Sequence, residues 1–304
     1  MLLTGFLLIV CTGLCWIGFG VLVSLCAGRG WSFDLVQGLS YIGGALICGA
    51  LLAADGGMFP PGADPKGLSF IFLVSFCGGI ASFYTFFLTA KAMRIGPNGL
   101  IWGIMQAGMI GSTLMGVFCF GEKLTPLSLT GLILIVGGVL AMGFARDRRN
   151  GGAGGKKWLL PTLSAFVLVM ATQCFCTLPS FLQETVNTGS LFRAFAVYAG
   201  GAFAFAVTTL PGVIRSGKFG GRGEWISAAV LTASNVGSSC FLLYRGLDLL
   251  AKAGAGGLGY PICTGICVAG FSLYSLLLLK EKIAPAGLAG LSAVCVGIVA
   301  IALP

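Results

Sequence analysis

Two pairs of side chains share a spacing and a setting in this sequence. Trp102 and Gln106 stand four residues apart just behind the string Gly96-Pro97-Asn98-Gly99, and Tyr260 and Thr264 stand four apart behind Gly254-Ala-Gly-Gly-Leu-Gly259. A four-residue spacing puts both members of a pair on one helix face. A single offset of 158 relates both members of the first pair to both members of the second. An aromatic ring supplies an apolar wall or a face for a cation, and an amide or hydroxyl supplies hydrogen bonds without fixed charge. That chemistry is recognition of a small polar solute. Trp16, Tyr84, Asn98, Gln173, Asn235 and Ser238 extend the set of substrate-binding candidates, each a polar or aromatic group in apolar surroundings. The competing reading makes the aromatics interfacial anchors and the polar groups bonds to neighbouring helices.

Catalytic chemistry finds little to work with. The chain has no His, and no Asp or Glu falls within its long apolar stretches, so neither a metal set nor a pair of acids is in place. The twelve cysteines include the CxxxC pairs Cys11/Cys15 and Cys263/Cys267 and the Cys174-Phe-Cys176 string, but no CxxC. They read as small hydrophobes, with no metal and no disulfide framework implied. Gly254-Ala-Gly-Gly-Leu-Gly259 fits G-x-G-x-x-G, yet that fingerprint needs a preceding strand and a βαβ unit. No enzyme and no cofactor is expected.

The elements that must position these residues follow from the charges. Of 304 residues 57% are hydrophobic and 9% charged, against about 25% charged in soluble chains. Cutting the chain at every Lys, Arg, Asp and Glu leaves ten charge-free stretches of twenty or more residues: 1–28, 35–54, 67–90, 95–121, 124–145, 158–183, 194–214, 225–244, 253–279 and 283–304. A helix needs roughly 20 apolar residues to cross a bilayer core. The expectation is an all-α membrane protein with ten transmembrane helices. A transmembrane β-barrel would instead show segments of about ten residues, alternating apolar and polar. The first stretch lacks the basic start and small-residue cleavage site of a secretory signal and reads as the first span.

Loop charges propose an orientation. Loops after spans 1, 3, 5, 7 and 9 carry thirteen Lys and Arg, and the opposite side carries five. Basic loops stay cytoplasmic, which places both termini on the non-cytoplasmic side of a cell (inner) membrane. The net charge of +9 is then a matter of topology, and no nucleic-acid partner is implied.

The chain also repeats itself. Gly121-Glu-Lys-Leu-Thr-Pro126, followed by Leu129-Thr-Gly131, matches Lys280-Glu-Lys-Ile-Ala-Pro285, followed by Leu288-Ala-Gly290. Residues 1–145 and 158–304 each hold five of the ten stretches, joined by a basic, glycine-rich linker at 146–157. An odd number of spans makes the second copy enter the membrane from the other side, so the halves form two inverted five-helix repeats. That is an architecture of secondary transporters.

Two five-span halves, Gly-Glu-Lys-Leu-Thr closing span 4 and Lys-Glu-Lys-Ile closing span 9, and a glycine-bearing apolar span after each resemble the drug/metabolite transporter superfamily in its ten-helix, EamA-like branch. The resemblance covers the whole chain. Common exporters of that superfamily have a basic loop after span 2, where this chain has Asp55-Gly-Gly-Met-Phe-Pro-Pro-Gly-Ala-Asp64. Its charge layout and its Trp31-Ser-Phe-Asp34 string are more similar to the bacterial sugar-uptake branch that includes glucose and rhamnose permeases. The small multidrug relatives carry a carboxylate in their first span, and here that region reads Thr12-Gly-Leu-Cys-Trp16, so their proton-for-cation exchange is not expected.

The expected function is secondary transport of a small polar metabolite through a central cavity between the repeats, either as a proton- or ion-coupled sugar uptake permease or as an exporter of amino acids or other metabolites. The partners are the solute, the lipid bilayer and a coupling proton or ion. Glu122, Glu184, Asp248 and Glu281 are the acids nearest span ends and could serve coupling, although Glu122-Lys123 and Glu281-Lys282 read first as charge pairs that set their turns. A non-transporting membrane receptor or scaffold is the alternative outside this class.

Overall fold

The structure, a computed structural model, describes residues 1–55, 64–95, 98–147, 156–183, 186, 188–277 and 285–302. Among these every regular element is a helix. Seven helices are long and apolar enough to cross a membrane, and three shorter apolar helices accompany them. With Leu3, Leu46, Phe118, Leu160, Val207 and Phe241 among many large apolar side chains on the outside, the chain is a membrane-embedded all-α protein.

The first five charge-free stretches become α1 (Leu2–Arg29), α2 (Phe33–Ala54), α3 (Pro65–Met93), the pair α4 (Asn98–Ala107) and α5 (Ile110–Phe120), and α6 (Pro126–Asp147). The second five become α7 (Leu159–Phe181), α8 (Ser190–Thr208) with the short α9 (Leu210–Ser216), then α10 (Arg222–Ser238) continuing into α11 (Tyr244–Lys252), α12 (Gly259–Leu277) and α13 (Pro285–Ala302). A single tight turn, Gly256–Leu258, opens α12. Most of the linker, residues 148–155, lies outside the described residues, as do Glu184 and Glu281.

Local chemistry sets the helix ends. Asp64 accepts the backbone N–H of Lys66 and Gly67 at 3.2 and 2.9 Å, with Pro65 at the first helical position of α3. Glu224 in the first turn of α10 accepts from Gly221 N at 2.7 Å, and its other oxygen accepts from Ser32 N at 2.8 Å, which ties the start of α10 to the start of α2. Inside the spans the hydroxyls of Thr12, Thr85, Thr89, Thr172 and Thr177 each donate to the carbonyl four residues back. That satisfies them without a partner helix, which an apolar surround demands.

Two irregularities were not expected from the sequence. The fourth stretch is interrupted at Gly108-Met109, whose N–H groups donate to the carbonyls three residues back, Met105 O and Gln106 O. The eighth stretch winds wider over Ser239–Leu243, a π-turn between α10 and α11. Turns of that kind favour functional positions because they re-aim the side chains they carry.

Small residues decide which helices touch. α6 packs on α13, where a Cβ at Gly131 would sit 2.6 Å from Gly297 O, one at Gly297 would sit 2.6 Å from Gly131 O, and one at Gly138 would sit 2.5 Å from Gly290 O. α3 packs on α7 and α8, and α2 packs on α8 and α10. At the α3–α8 contact a Cβ at Gly79 would overlap the carbonyl of Val197, and one at Gly200 would overlap that of Phe76. Backbones this close are the membrane substitute for hydrophobic driving force.

Candidate functional site

A cavity of ≈ 160 Å³ opens where α1, α2, α3, α4, α7, α8, the α10–α11 helix and α12 converge. Its volume is close to the roughly 150 Å³ that suffices for one benzene-sized molecule. Among the described residues α5, α6 and α13 contribute none of its lining, and no lining side chain is charged.

Part of the wall is aromatic. Trp16 from α1 and Tyr260 from α12 meet with ring centroids 6.2 Å apart, and Trp102, Phe19 and Phe86 complete the apolar surface. Cys267 Sγ donates to Trp16 O at 3.3 Å, which fixes α1 against α12 just behind those rings. Gln106 and Thr264 lie one turn on from Trp102 and Tyr260 and also line the cavity. Both members of both pairs therefore face one space, as an i,i+4 spacing requires.

Another part of the wall consists of hydroxyls and amides. Tyr41 on α2 donates to Ser82 Oγ on α3 at 2.7 Å, and Tyr198 on α8 shares a hydrogen bond with Ser239 Oγ on the π-turn at 2.9 Å. The two tyrosine rings are 6.2 Å apart. Each rests on a glycine of the helix that carries the other: a Cβ at Gly44 would be 2.7 Å from the Tyr198 ring, and one at Gly201 would strike the Tyr41 ring. Gln37 and Gln173, each 3% exposed, line the same space, and among the described residues the Oε1 of each is buried without a hydrogen-bond partner. A buried amide oxygen left unpaired costs about 1–3 kcal/mol.

Of the ten residues nominated from sequence, the structure brings Trp16, Trp102, Gln106, Gln173, Asn235, Tyr260 and Thr264 to this one cavity. Tyr84 is elsewhere: its hydroxyl bonds Thr208 Oγ1 at 2.7 Å and its ring packs on Phe83 and Phe87. Ser238 turns aside to donate to Asn235 O at 3.1 Å, and the wider π-turn sends its neighbour Ser239 to the cavity instead. The side chain of Asn98 lies outside the described residues. Sequence reasoning missed Gln37, Tyr41, Ser82, Tyr198, Ser239 and Tyr244. A signal for the tyrosines was present, since Tyr41-Ile-Gly-Gly-Ala45 recurs as Tyr198-Ala-Gly-Gly-Ala202 at an offset of 157.

Charges gather behind one end of the wall. Arg193 is fully buried at the start of α8 and donates to Ser180 Oγ at 2.9 Å, to Asp248 Oδ2 at 2.8 Å and to Tyr244 O at 3.2 Å. Its guanidinium stacks 4.7 Å from the ring centre of Tyr244, a lining residue. Asp248 is thus paired with Arg193 inside the second half. Glu122 departs from its expected role. It is buried, Lys123 beside it is exposed, and its carboxylate accepts the backbone N–H groups of Gly256 and Gly257 across to the turn that opens α12. Burial pushes this carboxyl above the usual carboxylate range, and the two N–H bonds pull it partly back.

No known family model matches the chain, and no curated protein matches it. Twenty-four chains of solved structures do match. One of them, a protein crystal structure with a TM-score of 0.73, covers 98% of this chain and 98% of its own at 16% identity. The helical arrangement described above is therefore similar, over its whole length, to a fold that occurs in solved protein structures.

Proposed function

We propose that this protein is a secondary transporter that carries a small, uncharged polar solute by alternating access through the cavity between its two halves. The observation that carries the reading is the wall itself: a set of aromatic rings, amides and hydroxyls drawn from both halves, with no charged side chain among the described residues and with two amides, Gln37 and Gln173, whose oxygens are buried. Rings give such a solute an apolar floor, and the polar groups choose among solutes by hydrogen bonding.

In this reading the chain crosses the membrane ten times as two inverted repeats, residues 1–145 and 158–304. Paired relations support the repeat. The Tyr41–Ser82 bond and the Tyr198–Ser239 bond differ by 157 at both ends, as do the Gly44 and Gly201 contacts beneath them. The Gly131–Gly297 and Gly138–Gly290 approaches exchange into each other at an offset of 159. Trp16 and Gln173, related by the same offset of 157, both line the cavity. Two structures of one geometry, read from opposite faces, supply the inward-open and outward-open states of a carrier. The resemblance to the drug/metabolite transporter superfamily points the same way, with uptake of a sugar-like solute and export of an amino acid or other metabolite as its two branches. No catalytic step and no cofactor enters this scheme.

Two experiments test it. Counterflow of candidate neutral metabolites in proteoliposomes should show saturable exchange, and Gln106→Ala combined with Thr264→Ala should reduce it by about tenfold or more with expression intact. Unchanged exchange in that double variant, or no exchange of any neutral, anionic or cationic solute by the parent protein, overturns the proposal. The orientation in an inner membrane has its own check. A reporter fused after Pro304 should be active on the non-cytoplasmic side, and activity confined to the cytoplasm would reverse the assignment.

A further inference from the structure

The turn Gly256–Leu258 is held from both of its polar sides by residues of the other half of the chain. The Glu122 oxygens accept from Gly256 N and Gly257 N. On α5, Ser112 Oγ and Thr113 Oγ1 donate to Gly257 O at 3.1 and 2.8 Å. Glycines make the slot: the space a Cβ would take at Gly116 is occupied by Glu122 Oε2, and at Gly257 that oxygen would be 2.8 Å away. Phe120 and Phe181 stack at 4.2 Å with rings parallel to within 4°, and the Phe181 ring edge also covers Gly256, 3.0 Å from where its Cβ would be.

The carboxylate has two acceptor oxygens and both are used. Its oxygens meet the N–H groups of Gly256 and Gly257 and lie against Gly116 of α5, while Ser112 and Thr113 of the same helix hold Gly257 O on the turn's other side. Lys123, beside Glu122, and Lys252, four residues before the turn, are both exposed. Its partners are therefore the turn's N–H groups rather than a counter-ion. Gly257 is followed within three residues by Tyr260 and within seven by Thr264, both in the cavity wall. Glu122 thus reaches from the first half to the root of the helix that presents the second half's rings and hydroxyl to the solute.

We propose that Glu122 is a positioning residue that fastens the two halves at the non-cytoplasmic mouth of the cavity, and that this mouth opens when its two bonds to Gly256 and Gly257 break. The side rests on the loop-charge tally, and the meaning of opening rests on the transporter reading above. A carboxylate suits the role better than its neighbours in size. Gln would offer one acceptor and set its NH₂ against the second N–H, and Asp is one methylene short.

The test uses native thiols. Cys176 and Cys267 line the cavity, so their modification by a membrane-impermeant maleimide, applied to one face of oriented vesicles and located by mass spectrometry, reads which mouth is open. Hydrogen bonds to a charged group contribute about 1.5–3 kcal/mol, a factor of roughly 10 to 100 in the closed-to-open ratio. Glu122→Ala should raise labelling from the non-cytoplasmic face by about tenfold or more and leave or lower labelling from the cytoplasmic face. Glu122→Gln, which keeps volume and one acceptor, should fall between, and it carries the test if Glu122→Ala is not recovered folded. Labelling unchanged from the non-cytoplasmic face, or raised equally from both faces as general loosening would do, overturns the proposal. Side-specific labelling in a protein that exchanges no solute would keep the latch and remove the transporter reading.

Discussion

Gly79→Ala and Gly200→Ala are each expected to abolish or severely reduce recovery of folded protein, with the residual material melting on the order of 10 °C below the parent. A methyl at either position overlaps a backbone carbonyl on the facing helix, Val197 O in one case and Phe76 O in the other. A flexible side chain could swing away, but a carbonyl moves only with its helix. The α3–α8 contact must then spread along its length, and overpacking of that kind costs about 3 kcal/mol or more. Gly237 on α10 provides the contrast. Nothing lies within 4 Å of a Cβ built there, so Gly237→Ala should leave stability unchanged or raise it by up to about 1 kcal/mol through helix propensity. Size-exclusion profiles after a temperature series distinguish these outcomes. Equal behaviour of the three variants would mean that α3 and α8 do not meet as described.

The second large effect is expected in binding, with stability moving the other way. Replacing Gln37 and Gln173 together by Leu removes two buried amide oxygens that have no hydrogen-bond partner among the described residues. The ligand-free protein should be as stable as the parent or more so, because an open acceptor in a buried site is a cost that Leu does not carry. Solute affinity should fall by about tenfold for each change and about a hundredfold for both, since the sites act on separate parts of the guest. Trp16 and Trp102 line the cavity, so quenching of tryptophan fluorescence by the solute provides the titration. A double variant that binds as tightly as the parent would place those oxygens outside the recognition chemistry.

The two amides differ in how visible they were beforehand. Gln173 stands out as the amide in the middle of the 158–183 apolar stretch, whose other amide, Gln183, is its last residue. Gln37, three residues past Asp34, sits near the start of its stretch, where a polar side chain signals nothing unusual. The long uninterrupted helices were legible because one property, absence of charge over a bilayer's thickness, identifies them. The interruption at Gly108-Met109 and the π-turn at Ser239–Leu243 were not, because each depends on packing and on where freed carbonyls find partners. The aromatic and polar pairs at 102/106 and 260/264 were legible through the doubling of breaker-rich openings. The Tyr–Ser pairs were hidden because each bond joins residues 41 apart, on different helices. Glu122 shows the sharpest limit. A Glu-Lys dipeptide beside a turn reads as a solvated charge pair, and only the approach of a glycine turn from the far half of the chain buries one of the two and leaves the other in water.

The charge-free cavity wall has an electrical consequence for the proposed carrier. Moving one elementary charge through the membrane field changes its energy by about 2.3 kcal/mol per 100 mV. Among the described residues no lining group bears such a charge, and the buried Arg193 travels with Asp248 as a compensated pair. Rocking the two halves about the empty cavity then displaces almost no net charge across the bilayer. A neutral guest adds none, so the loaded and unloaded protein would reorient at rates indifferent to membrane voltage, and the steepness of the solute's own gradient would set the direction of flow.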